Sequence, residues 1–334
     1  EVVEPGDVYD ATDERGAAYA MLELPVTARL KAIFGARIET YDLALNSRTR
    51  FGIDSTVASV KATDIVPAVN LVYSVRENVQ LRAAMSRTLD RPEFRELAPF
   101  QFTEATSLRQ LKGNPSLVPA EIMGGDLRFD WFVGPGELLS AGVFYKEMKD
   151  PIEQVFVAAA SSAYSFQNAD EATLVGFELD VQLSGARVSR ALEFFSFQGN
   201  FAWIDSEVTV SRSGIFQPTN LRRPQEGQAP YVLNLGLNYA NHTGWEGGVF
   251  LNRLGERLSA AGGSGLPDIY ERSRNALDAT VSFPLLRPGV RVKLKGTNLL
   301  DSEYRFEQSA NGITRIQRAF STGRTVSVGF SWEF

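Results

Sequence analysis

From Arg324 to Phe334 the chain reads RTVSVGFSWEF, and every second residue is apolar. Val326, Val328, Phe330, Trp332 and Phe334 share one parity, while Thr325, Ser327, Gly329, Ser331 and Glu333 share the other. An extended chain with this pattern is apolar on one side and polar on the other. The alternation recurs in YVLNLGLNY, where Tyr231, Leu233, Leu235, Leu237 and Tyr239 oppose Val232, Asn234, Gly236 and Asn238. FELDVQL sets Phe177, Leu179, Val181 and Leu183 against Glu178, Asp180 and Gln182, and VRVKLK sets Val290, Val292 and Leu294 against Arg291, Lys293 and Lys295. Period two repeated this often predicts an all-β protein.

About thirteen such segments occur, near 17–26, 28–45, 64–75, 78–90, 120–133, 138–149, 173–184, 194–210, 230–241, 245–257, 271–285, 290–301 and 324–334. Many reach ten residues, against roughly five or six in soluble sheets. Their connections alternate in length. Short turns at PVT, REN, GPGE, NHTG and RPG, and a moderate turn at 185–193, alternate with long loops at 46–63, 91–119, 150–172, 211–229, 258–270 and 302–323. A meander with its short turns at one end and its long loops at the other is the plan of a transmembrane antiparallel up-and-down β-barrel, with periplasmic turns and external loops. The apolar parity then faces outer-membrane lipid and the polar parity faces the lumen.

Aromatic residues fit that orientation. Tyr231 and Tyr239 lie about 26 Å apart along a strand at ~3.3 Å per residue, close to the height of a lipid-facing band once tilt is included. Trp131, Trp203 and Trp245 also fall on apolar parity near strand ends, with Tyr145, Phe195 and Phe283, as interfacial girdles require.

Composition narrows the chemistry. The 334 residues include 22 Phe, 10 Tyr and 4 Trp, carry a net charge of −6, and contain one histidine and no cysteine. An acidic balance argues against a nucleic-acid partner. Without cysteine there is no disulfide, thiolate nucleophile or thiolate metal site. No apolar run approaches the ~18 residues of a membrane helix, a test that strands escape. No signal peptide is visible from Glu1 onward. The one histidine, His242, sits in the turn NHTG on the periplasmic side, so His-based acid–base catalysis is not expected, and neither an enzyme, a cofactor nor a metal site is indicated. Lumen acids such as Glu178, Asp180, Asp126 and Asp130 read as partners of Arg128 and the lumen lysines.

Five stretches add a family resemblance. SRTLDRPEFRELAPF (86–100), GNPSLVPAE (113–121), RRPQEGQAPYVLNLGLNY (222–239), GTNLLDSEY (296–304) and GRTVSVGFSWEF (323–334) resemble, in order, the C-terminal barrel motifs of TonB-dependent outer-membrane receptors. That resemblance implies a gated transporter in the outer membrane of a Gram-negative bacterium, with a barrel of about twenty-two strands, a plug inside it and coupling to the TonB energy complex. Residues 1–334 then read as the C-terminal portion of the barrel, a partial wall in which neither plug nor TonB box is found. Expected cargo is a scarce nutrient: a siderophore, cobalamin, saccharide or peptide. A small passive channel of about fourteen strands, and a surface adhesion, phage or colicin receptor, are the alternatives.

Phe330, Trp332 and Phe334 resemble the terminal signal that the outer-membrane assembly machinery reads. In the loop 91–119, Arg91, Phe94, Arg95, Phe100, Phe102 and Arg109 are candidate ligand anchors, because arginine and aromatic side chains are costly to expose unless they bind something. Pro92 and Pro99 equally suit a structural cap, GNPSLVP suits a structural turn, and Asn298 and Asp301 suit a strand-to-loop corner.

Overall fold

The computed structural model describes residues 8–48, 55–99, 101–103, 110–158, 163–211, 217–263, 265–285 and 289–332. Thirteen strands, each antiparallel to the next, form one wall. They are β1 Val8–Pro25, β2 Leu30–Arg48, β3 Ser55–Arg76, β4 Val79–Asp90, β5 Ala120–Gly134, β6 Glu137–Lys149 and β7 Glu171–Ser184. The wall continues through β8 Phe195–Thr209, β9 Tyr231–Ala240, β10 Glu246–Leu254, β11 Arg274–Pro284, β12 Val290–Thr297 and β13 Thr325–Trp332. Among the described residues β1 and β13 do not pair with each other or with another strand on their outer side, so the wall is not closed into a barrel.

Register carries the apolar parity across strands in continuous rows. Leu127, Val143, Phe177, Trp203 and Tyr231 are successive cross-strand partners, and near the turn end Phe195 pairs with Tyr239 and Tyr239 with Gly247. Trp131, Trp203 and Trp245 are exposed on this face. Phe177 and Trp203 stack at 5.9 Å towards the loop end, whereas Phe195–Tyr239 and Trp245–Phe283 lie 5.0 and 4.8 Å apart near the turns. Two aromatic rows therefore flank an aliphatic band. Val326, Val328, Phe330 and Trp332 continue that outer face on β13, while Phe334 lies outside the described residues.

One expected loop is mostly strand. Residues 46–63 were expected to form a long loop, yet the β2–β3 ladder runs unbroken to Arg48 opposite Ser55. The physical reason is an inversion of polarity along the strands. Phe34 and Ile38 are exposed at even positions of β2, but Tyr41, Leu43 and Leu45, at odd positions, are only 2, 1 and 0% exposed. Beyond the lipid band the outside of the wall meets water, and its inner face is covered by protein. The alternation persists with its sense reversed, so a search for apolar-out strands stops too early.

The covering is a cap built from the other long connections, which hold short strands. Gln101–Thr103, Gln110–Lys112, Ile152–Ala158 and Ala163–Asn168 form one four-stranded sheet, and Arg257–Ala260, Ile269–Glu271, Tyr304–Ala310 and Ile313–Phe320 form another. Phe156 N donates to Ala261 O at 3.0 Å between them. Leu111, Phe156, Tyr164, Ala260, Ile269 and Phe306 make a shared core, as in a soluble domain. A second core joins Tyr41, Leu43, Leu45 and Ala58 of the wall to Leu97, Ala98 and Leu117 of the 91–119 connection.

Candidate functional site

The 91–119 connection begins with one helical turn, α1 Phe94–Leu97, closed by a reciprocal Glu93–Glu96 capping box. Burial pushes the Glu96 carboxyl above its ordinary range, opposed by the Glu93 backbone N–H that it accepts at 2.9 Å. Gly113 packs so tightly on the end of this turn that an added Cβ would stand 2.2 Å from Ala98 O, so no other residue fits. Asn114 follows it, donating its backbone N–H to Glu96 O and its side-chain amide to Phe166 O at 3.0 Å. GNPSLVP is thus the clamp that seats DRPEFREL against the wall, in agreement with its structural reading.

That seating forms a pocket of about 390 Å³ at the mouth, between β1, β2 and the helical turn, lined by Tyr9, Asp13, Arg15, Leu43, Arg91, Glu93, Phe94 and Arg95. Arg15 and Arg91 flank the Tyr41 ring, 5.4 and 5.1 Å from its centroid. Arg15 pairs with Asp13 at 2.5 Å, and Arg91 reaches Glu39 at 2.7 Å and Asp64 at 3.8 Å. Arg95 is exposed and stands 5.4 Å from the Phe102 ring, whose side chain packs on the cap core. Three sequence candidates, Arg91, Phe94 and Arg95, therefore line one pocket. Phe102 lies in the cap instead, while Phe100 and Arg109 lie outside the described residues.

Below the mouth the polar face of the wall falls into two stretches. On β4 to β7, Asp130 receives Arg82 at 3.0 Å and Arg128 at 2.8 Å, and Arg128 reaches Asp180 at 3.1 Å. Two of the four lumen acids, Asp130 and Asp180, are partners of Arg128, as their parity suggested. On β8 to β10, Asn234 Nδ2 donates to Asn200 Oδ1 at 2.8 Å and Asn252 Nδ2 donates to Asn234 Oδ1 at 2.6 Å. This amide ladder, with Gln182, Gln198, Asp180 and Asp278, borders a groove of about 660 Å³. Among the described residues no group of three or more His, Cys, Asp or Glu could hold a metal. His242 sits in its turn with its ring 5.2 Å from Phe194.

Sequence reasoning missed one pair. Arg223 and Glu153, 1 and 2% exposed, meet at 2.5 Å inside the cap and tie the connection after β6 to that after β8. Burial pushes the Glu153 carboxyl above its ordinary range, with Arg223 drawing it back. Nearby, Glu226 accepts Gln154 N at 2.6 Å and Gly227 N donates to Leu258 O at 2.8 Å. A lone Glu flanked by apolar residues in PIEQVF was the available signal, but nothing in the sequence names its partner. At another corner, Asn298 donates to Gly323 O at 2.8 Å, which bears out the structural reading of NLLD.

A wall of long antiparallel strands, apolar outside and polar inside, under a folded cap is the architecture of an outer-membrane β-barrel wall. The chain belongs to the family described as TonB dependent receptor-like, beta-barrel, whose model matches residues 2–299. Its fold is similar to the ferric yersiniabactin uptake receptor FyuA of Yersinia pestis, with 15% identity and a TM-score of 0.68 over 98% of this chain and 46% of that one. The siderophore receptor PiuA of Acinetobacter baumannii matches at 15% identity and a TM-score of 0.71, over 98% and 44%. The copper transporter OprC matches at 14% and 0.68, over 97% and 48%. The chain thus spans under half the length of these structures. No curated protein matches it. Family membership places the chain in the outer membrane of Gram-negative bacteria.

Proposed function

We propose that the chain is the C-terminal portion of the barrel of a TonB-dependent receptor that imports a scarce nutrient, and that its ligand docks at the mouth pocket. One observation carries the site: Arg15, Arg91, Arg95, Phe94 and Tyr9 converge where the lumen opens beneath the cap. Guanidinium groups and rings supply charge-assisted hydrogen bonds and stacking, a combination suited to an anionic, unsaturated ligand. Among siderophore, cobalamin, saccharide and peptide, a metal chelate is the reading best supported, because the similar structures include an uptake receptor for ferric yersiniabactin, a siderophore receptor and a copper transporter.

In this reading the polar wall faces a plug domain, which couples to the TonB energy complex, and the outer aromatic rows sit at the two lipid interfaces. Phe330, Trp332 and Phe334 are the signal for the assembly machinery, so deletion of Phe334 lowers receptor abundance in the outer membrane. Among the described residues the outer edges of β1 and β13 are unpaired, which counts against a small closed channel. The test is uptake of radioactive iron by whole cells, given as ferric citrate and as a ferric catecholate. Replacing Arg15, Phe94 and Arg95 together with alanine is expected to weaken binding of the transported chelate more than tenfold, about 1.4 kcal/mol, at constant surface abundance. Unchanged uptake at equal abundance moves the ligand away from this pocket.

A further inference from the structure

Two features of the outward face stand one above the other. The lower is a groove of about 430 Å³ on β9 to β13, bordered by Leu237, Tyr239 and Val249 on one side and by Leu294, Leu299 and Val326 on the other. Register places Ala279 between the two sides, directly across from Val249 and from Gly296. Leu299, just beyond β12, is tied by its backbone N–H to Leu277 O at 2.8 Å. It lies over Gly296, where an added Cβ would stand 2.8 Å from Leu299 Cδ2. Strand pairing and this backbone bond therefore hold the groove open.

The upper feature is Arg253, at the loop end of β10. It shares the outward parity of Val249 and Leu251, and its Cα stands about 13 Å along the strand above that of Val249 at ~3.3 Å per residue. Its cross-strand neighbours, Leu233 and Asn275, carry no charge. Arg253 Nε donates to the Tyr231 hydroxyl at 3.2 Å, and the guanidinium carbon lies 5.8 Å from the centre of the same ring. Tyr231 is the cross-strand partner of Trp203 in the loop-end aromatic row, so the guanidinium is held where hydrocarbon gives way to headgroups. Its terminal nitrogens have no partner among the described residues. Lys61 and Arg87, outward on other strands, are paired instead, with Asp42 at 2.6 Å and Glu121 at 2.9 Å.

We propose that Arg253 and the groove below it bind one phosphorylated glycolipid of the external leaflet, of the lipid A type. The phosphate takes the two terminal nitrogens, since Nε is already engaged by Tyr231, and paired guanidinium N–H donors suit phosphate oxygens. An acyl chain of the same molecule fills the groove. Height decides between leaflets: Arg253 is at the loop end, whereas a lipid of the periplasmic leaflet presents its headgroup at the turn end, beside Tyr239 and Trp245. In the outer membrane of Gram-negative bacteria the external leaflet is built of acylated glucosamine disaccharides that carry phosphates. A cation left open above an apolar groove matches both parts of such a molecule.

The test counts lipids on the intact receptor. Purified receptor in detergent is titrated with diphosphoryl lipid A and with the same lipid freed of its phosphates, and bound molecules are read by native mass spectrometry. One diphosphoryl molecule is expected to bind the parent at least tenfold more tightly than the dephosphorylated lipid. Arg253→Ala should abolish that preference by weakening the phosphorylated lipid alone, an outcome that a misfolded barrel does not produce. Ala279→Trp, which fills the groove and leaves the guanidinium in place, should weaken both lipids while the preference for phosphate survives. Equal affinity of the two lipids for the parent overturns the proposal, as does a preference that survives Arg253→Ala. Displacement of lipid A by phosphatidylglycerol at equal concentration would assign the site to a phospholipid, and unchanged binding to Ala279→Trp would take the acyl chain out of the groove; either result also overturns it.

Discussion

β2 carries two opposite patterns on one strand. At Phe34, Ala36 and Ile38 its even positions are apolar and exposed, and Arg37 and Glu39 point inward; from Tyr41 to Leu45 the odd positions are apolar and buried. Nothing in the backbone changes at the crossing, since the ladder to β3 stays in register. What changes is the surroundings. In the lower region the wall satisfies its backbone within the sheet and gives its apolar side chains to lipid, whereas in the upper region the cap takes those side chains into a core like that of a soluble protein. Most of the fully buried large side chains, Leu97, Leu258, Val155, Tyr41, Leu43 and Leu45 among them, belong to the cap or to the wall behind it. Alternation therefore reports a strand reliably, but which parity is inside depends on height above the membrane.

The sharpest way to break this comparison is at Arg223. In the cap an unpaired buried charge has no water to turn to, and removing one partner of a buried pair costs about 3–5 kcal/mol. Arg223→Ala is expected to remove hydrogen-exchange protection from Ile152–Ala158 and Ala163–Asn168 while leaving β5 to β8 protected. Glu153→Leu combined with Arg223→Met should recover most of that protection. Loss throughout the wall would mean that cap and wall are one cooperative unit.

A lysine on the outer face probes the other solvent. Leu179 is exposed on the apolar parity of β7, between Ala141 and Phe201. If lipid surrounds it, Leu179→Lys should cost about 2–4 kcal/mol near mid-height of the membrane, read as a lower urea midpoint for receptor folded into bilayers. Lys61, also outward but above the inversion, already pairs with Asp42 at 2.6 Å, so Lys61→Leu is expected to shift the midpoint little. Equal effects at both positions would remove the boundary placed near residue 40.

How much of this was legible follows the same physics. Every wall strand was visible as a period of two, and turn length gave the two ends, because lipid outside and polar groups inside impose one rule on each strand. Residues 46–48 and 55–63 were misread where that rule reverses. Gln101–Thr103 and Gln110–Lys112, at three residues each, are too short to show a period. Of the site, Arg91, Phe94 and Arg95 were legible as costly residues in a loop, and DRPEFREL with GNPSLVP as one structural unit. Arg15 and Tyr9 were not, since the pocket they share with Arg95 is assembled across some eighty positions of chain. Glu153 and Arg223 were hidden for the same reason, their pairing being purely tertiary.

The smallest expected effect tests the inner face directly. Asn234 is the middle of the amide ladder, donating to Asn200 and accepting from Asn252. Asn234→Ala removes both bonds and orphans an acceptor on one neighbour and a donor on the other. Beside a water-filled groove the orphans rebind solvent, so the cost is about 1–3 kcal/mol, the net worth of two ordinary hydrogen bonds at about 0.5–1.5 kcal/mol each. In a dry interior each orphan adds the penalty of an unsatisfied buried group, about 1–3 kcal/mol apiece, and the total becomes comparable with the Arg223 variant. A small shift in the urea midpoint of bilayer-folded receptor keeps the wall's inner face distinct from the cap's interior. A shift of several kcal/mol would show that protein closes over the ladder, making this stretch of wall a packed interface like the one around Tyr41 rather than the side of an aqueous passage.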